Sequence, residues 1–126
     1  KPARSNAATL LEMARRSFLP AACHYLSDTA KLQGRTRNVN IACRFADDLA
    51  KYLAEAIDDC AKAADTLEEK LANIPLNLPA PEAAGKMQRL IKDEMATLRA
   101  CCDTLEALMP EDRWPVPGYS ALLYDL

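Results

Sequence analysis

Apolar positions recur at three-and-four spacing along most of the chain, which predicts long amphipathic helices. The first stripe is Leu11, Ala14, Phe18, Ala21, Tyr25 and Leu32, and it predicts a helix over 7–32. Ser5 or Asn6 can cap its start, and Gly34 stands just past its end. Pro20 lies inside this stripe and has no N–H to give to the carbonyl of Arg16, so a helix kink is expected at Pro20. The polar stretch Gln33 to Arg37 reads as a loop, after which Asn38 or Asn40 can cap a second helix over 38–73. Its stripe is the most regular in the chain: Ile41, Phe45, Leu49, Leu53, Ile57, Cys60, Ala64, Leu67, Leu71 and Ile74, with Pro75 as the stop. A proline-rich turn leads through Pro81 to a third helix over 82–109. Its stripe is Ala84, Met87, Ile91, Met95 or Glu94, Leu98, Cys102, Leu105 and Leu108, and Pro110 stops it. The tail, 110–126, is rich in proline and aromatic residues, a composition suited to packing onto a surface. Ser120 to Leu126 reads as one short turn.

Three long helices with short connections predict an all-α fold, an elongated antiparallel three-helix bundle with a proline/aromatic C-terminal tail, in a single domain over 1–126. Composition agrees. Alanine, leucine, glutamate, lysine and arginine dominate, there are only three glycines, and nothing alternates with period two over a useful length. Length adds a geometric consequence. A helix over 38–73 would be about 52 Å long, whereas a compact globule of this chain length is about 36 Å across. The second helix is therefore expected to overhang, or the bundle to be elongated, which leaves side surface for a partner domain or subunit.

The formal net charge is −2 and the pI about 5.4, which gives no electrostatic footprint for nucleic acid. No stretch free of charge and proline approaches the length of a membrane span, and no apolar leader precedes Ala7. The cysteines number five, Cys23, Cys43, Cys60, Cys101 and Cys102, and an odd count at helical positions predicts free thiols and a cytoplasmic location.

Candidate chemistry is thin. His24 is the single histidine, so a phosphotransfer histidine on a helical bundle is one reading. Ser27 and Asp28 stand where such a domain would carry a lysine and a glycine, and an acid beside a phosphoryl site is unfavourable. No CxxC or Cys-x-x-His spacing exists, and adjacent Cys101 and Cys102 point about 100° apart on a helix. Asp47 and Asp58 share a helix face but lie about 16 Å apart along it, too far for one metal or one acid–base pair. A solvated acidic face interspersed with Lys51 and Lys62 accounts for them. There is no phosphate-binding glycine loop and no nucleophile elbow. No catalytic, cofactor-binding or metal-binding residue is therefore expected in this segment.

Two stretches carry a resemblance. The first is Thr9-Leu10-Leu11-Glu12-Met13-Ala14-Arg15-Arg16, then Phe18-Leu19-Pro20-Ala21-Ala22 and Tyr25. The second is Leu105-Glu106-Ala107-Leu108, then Trp114-Pro115-Val116-Pro117-Gly118-Tyr119 and Leu122-Leu123-Tyr124. Together they resemble the two ends of the C-terminal helical region of type III glutamine synthetases, spanning Thr9 to Tyr124. The central helices match that family only in pattern, and the cysteines give no support either way. The resemblance implies a parent enzyme that ligates glutamate and ammonia with ATP and divalent metal, built as stacked hexameric rings. It also implies that nucleotide, metal and glutamate residues lie upstream, with none to be mapped onto this segment. Lys1 to Asn6 would then be the end of the preceding domain or appended residues. The expected partners are the catalytic domain of the same chain and neighbouring subunits of a homo-oligomer. Trp114, Pro115, Pro117, Tyr119 and Tyr124 are the expected packing or interface anchors, since aromatics flanked by prolines bury area at low entropy cost. A free-standing helical interaction module shares the fold and differs only in context.

Overall fold

The computed structural model describes residues 2–74 and 80–115. It is an all-α, elongated antiparallel bundle, with no strand among the described residues. The elements in order are α1 (Pro2–Met13), a π turn (Ala14–Phe18), α2 (Leu19–Asn38), α3 (Arg44–Ala72), α4 (Pro81–Leu108) and a short 3₁₀ turn (Glu111–Arg113). The segments α1, π turn and α2 follow one another without a break, so the first rod covers residues 2–38 and is about 55 Å long.

The helix continues through Pro20. Immediately upstream, the Leu19 N–H donates to the Ala14 carbonyl, five residues back instead of four. A widened turn suits this place, because proline offers no donor and its ring crowds the carbonyl four residues earlier. Ala14 and Phe18, at the two ends of the π turn, are both buried.

The first rod ends later than its sequence pattern suggests. Gln33 to Arg37, expected as loop, is helical, and Gly34 lies inside α2. Asn40 is not a helix start. Its φ of 58° is left-handed; its N–H donates to the Arg37 carbonyl, and the Ile41 N–H donates to the Thr36 carbonyl. That pair of bonds is the Schellman ending, with asparagine in the place glycine usually takes. The second helix consequently begins at Arg44, not at 38, and Cys43 before it makes no side-chain cap. Ser5 and Asn6, expected as caps, fall within α1. Thr9 Oγ1 donates to the Ser5 carbonyl there. The third helix lies where its stripe placed it.

Polar pairs set the register of the first rod against α3. Arg15 bonds Asp65 at 2.7 Å and Glu68 at 2.9 Å, and Gln33 Nε2 donates to Asp47 at 2.8 Å. Residue numbers rise on one element as they fall on the other, so the two run antiparallel. On the far side of α3, Cys60 Sγ lies 3.9 Å from Cys102 Sγ of α4. The core sits between these layers: Leu10, Phe18 and Ala22 from the first rod, Leu53, Cys60 and Leu67 from α3, and Ile91, Leu98 and Leu105 from α4. Ala56, Ala63 and Ala64 on α3 are small enough to let the neighbouring backbones approach. Each large side chain so buried contributes about 1.5–3 kcal/mol.

Helix α4 does not reach the far end of the bundle. It ends six residues beyond Cys102, about 9 Å further along. Beyond Ala22 on the first rod and Leu53 on α3 the central core stops, and α2 and α3 continue as a pair. At α3's other end, the connection 75–79 lies outside the described residues.

Candidate functional site: the open end of the bundle

The two-helix end carries five of the six large apolar side chains that are exposed among the described residues, the sixth being Leu90 of α4. Phe45 is 78% exposed, Val39 63%, Ile41 58%, Tyr52 52% and Leu32 45%. Ile41, Phe45 and Leu32 were expected on buried stripes, and the structure corrects that expectation. Ile41 lies in the α2–α3 connection, outside any helix. Phe45 and Leu32 lie on helices, but among the described residues no third helix crosses their level to cover them. The second helix was expected to overhang or the bundle to be elongated; the bundle is elongated, and both α2 and α3 run past the end of α4. Helix α3 is only 29 residues, about 44 Å, and the first rod is the longer element. Single exposed apolar residues are ordinary, whereas five gathered at one end make this end the candidate site.

Between α2 and α3 this end forms a shallow groove lined by Tyr25, Thr29, Leu32, Phe45, Ala46 and Leu49, with Asp28 at its edge. Its volume is about 210 Å³, below the ~300–1,000 Å³ of small-molecule sites. The groove is chemically quiet. The Thr29 hydroxyl donates to the Tyr25 carbonyl at 2.9 Å, and Asp28 accepts from Arg113 at 2.6 Å. Asp47 ties the two helices together above it through Gln33 and, at 3.8 Å, Arg37.

The residues after α4 turn back to the first rod just below the groove. Trp114 stacks on Phe18 with ring centroids 4.8 Å apart and planes within 16°. Arg113 lies over the Tyr25 ring, 5.5 Å from its centroid, while bonding Asp28. The hydrogen bond from Arg113 holds the Asp28 carboxyl below its usual range, against the opposing effect of desolvation. Arg15 acts on Glu68 in the same way. Trp114 is only 6% exposed, so its ring is spent within this chain. Pro115 is exposed, and Pro117, Tyr119 and Tyr124 lie outside the described residues.

Comparison of the chain with known protein families, with curated proteins and with solved structures finds no match.

The remaining sequence candidates are scattered. His24 and Cys23 are exposed on α2, and Asp28 stands one turn on from His24, already engaged with Arg113. All five cysteines are free. Cys60 and Cys102 face each other in the core, where hydrogen bonding to Cys60 and then burial push the Cys102 thiol up and keep it protonated. Asp58 and Asp59 are exposed on α3. Among the described residues no three His, Cys, Asp or Glu side chains gather in a way that could hold a metal ion. No helix among the described residues is long and apolar enough to cross a membrane. Sequence reasoning did not single out Val39 and Tyr52, and it assigned Leu32, Ile41 and Phe45 to the core. The signal that finds them is a difference in length: Pro81 and Pro110 limit α4, while no proline limits the chain between Pro20 and Pro75.

Proposed function

We propose that this chain is a structural and assembly domain, the C-terminal helical bundle of a cytoplasmic, type III-like glutamine synthetase. In that reading it carries no catalytic group of its own. It packs against the catalytic domain of the same polypeptide or a neighbouring subunit, and the ATP and divalent metal of the parent reaction are held elsewhere. The observation that carries the assembly role is the apolar end of the α2–α3 pair, where Val39, Ile41, Phe45 and Tyr52 face outward. Surfaces of this kind are costly to leave in water and gain by being covered. The Trp-Pro-x-Pro-x-Tyr run starting at Trp114 and the Leu-Pro-Ala run at Leu19 support the family.

Deleting residues 7–126 from the gene-length polypeptide tests the reading. Loss of the assembled mass together with glutamine-forming activity is the expected result. An unchanged mass and unchanged activity would refute it.

A further inference from the structure

The core holds a pair of nucleophilic side chains that the assembly role does not use. Cys60 on α3 and Cys102 on α4 are both fully buried, and their sulfurs lie 3.9 Å apart although 42 residues separate them in sequence. Each is the single thiol on its apolar stripe. Leu53 and Leu67 stand one heptad to either side of Cys60, and Leu98 and Leu105 flank Cys102. At this level the two helices therefore oppose thiol to thiol, between levels filled with leucine. A disulfide needs its sulfurs about 2.05 Å apart, so each would travel about 0.9 Å, within the reach of a modest rotation about Cα–Cβ. The two sulfurs are also unlike. The Cys102 S–H donates to the Cys60 sulfur, which draws the Cys60 thiol toward its thiolate, against the opposing effect of burial. Cys60 is therefore the nucleophile of the pair and Cys102 its proton-bearing partner.

We propose that Cys60 and Cys102 are a modification site, a dithiol that hydrogen peroxide converts to a reversible disulfide tying α3 to α4. The Cys60 sulfur attacks one peroxide oxygen and the O–O bond breaks. Cys60 becomes a sulfenic acid, and the departing hydroxide takes up the proton that Cys60 gave, forming water. The Cys102 sulfur then attacks the sulfenic sulfur and the S–O bond breaks. That hydroxide leaves with the Cys102 proton as a second water. In all, two thiols lose two electrons and two protons, and one peroxide is reduced to two waters. Hydrogen peroxide is small and uncharged, so it enters through the transient openings of a packed bundle. Burial makes the reaction slow, while the neighbouring Cys102 captures the sulfenic acid before further oxidation. The cross-link restricts the unfolded chain more than the folded one, so oxidation stabilises the bundle. A thiol reductant reverses it, as befits the transient disulfides of reducing compartments. The site stands apart from the proposed assembly role, since both sulfurs belong to the core of this chain.

Hydrogen peroxide treatment of the 126-residue chain tests it, with the remaining thiols alkylated in denaturant before tryptic digestion and mass spectrometry. The expected product joins peptide 52–62, which holds Cys60, to peptide 100–113, which holds Cys101 and Cys102, with the loss of two hydrogens. It should persist in Cys101→Ser, vanish in Cys102→Ala and come apart with dithiothreitol. The urea midpoint of the oxidised chain should fall when dithiothreitol is added, a reagent that leaves methionine sulfoxide untouched, and should not move in Cys60→Ala. The parent chain and Cys101→Ser decide the matter even where an alanine variant loses its fold. Oxidation confined to the exposed Cys23 would overturn the proposal. So would sulfinic or sulfonic acid at Cys60 without the joined peptides. A joined product that disappears in Cys101→Ser would overturn it too, by assigning the bond to the neighbouring thiol.

Discussion

Asp28 shows how one side chain can join two parts of the molecule. It belongs to α2, borders the groove, and accepts the hydrogen bond that fastens Arg113. Its carboxyl titrates below the usual range because the folded chain places a guanidinium on it. A carboxyl lowered in the folded state contributes stability above its unfolded pKa, and that contribution is lost as pH falls through the lowered folded value. The contact of Arg113 and Trp114 with α2 should therefore be intact at neutral pH and weaken only in acid below the ordinary aspartate range. Trp114 is the only tryptophan, so its emission reports this contact. Asp28→Asn should remove the acid-range change in emission, whereas an identical profile in the variant would mean that the bond does not hold the tail. Glu68 is lowered by Arg15 at a different level of the first rod, so the variant leaves that titration in place. None of this was legible in the sequence, where Asp28 counted only as an unfavourable neighbour of His24. The partner lies 85 residues away, and nothing local announces it.

At the scale of the element, sequence pattern placed all three rods and missed one junction. The stripes of α3 and α4 repeat regularly because both helices are buried along one face for most of their length. Leu53, Cys60, Leu67, Leu98, Cys102 and Leu105 are all fully buried on those stripes. The end of α2 reads as loop because Gln33 to Arg37 is polar and contains Gly34. Those residues can be polar because, among the described residues, no third helix covers their level, and the helix still holds because Asn40 closes it with a left-handed cap. Gly34 has no atom within 4 Å of where a Cβ would stand, and it lies in the interior of α2. Replacing it with alanine should raise stability by about 0.5–1 kcal/mol, because glycine holds more freedom in the unfolded chain. A urea denaturation midpoint that rises in Gly34→Ala supports the helix running to Asn38. A midpoint that falls would mean a backbone conformation at Gly34 that alanine resists, as the loop reading requires. The sequence predicts a kink at Pro20 but not the π turn over Ala14–Phe18 that precedes it. Its place depends on which carbonyl the proline leaves without a partner, and the stripe alone does not contain that.

On the scale of the whole molecule, the decisive quantity is a mismatch of lengths. The first rod spans about 55 Å and α4 about 42 Å, so three layers cannot stay in step from end to end. The pattern predicts that the second helix overhangs or the bundle is elongated; α3 does run past α4, but the first rod is the longer element, because the second helix starts six residues later than its stripe suggests. Shifting that start moves Ile41 out of the core stripe and turns Phe45 into the first turn of an uncovered helix. The site then follows from topology: α2 and α3 extend past α4, and among the described residues no other element lies over the apolar residues at that end. Sequence showed the greasy face; only the relative lengths in three dimensions showed where it lacks a neighbour. Sedimentation velocity of the gene-length polypeptide carrying Val39→Ser, Ile41→Asp and Tyr52→Ser tests this most directly. All three positions are exposed, so the bundle should keep its helical circular dichroism while the assembly falls to smaller species. An assembly of unchanged mass, with helicity equally unchanged, would contradict the claim that the open end of the bundle is where this domain meets its partner.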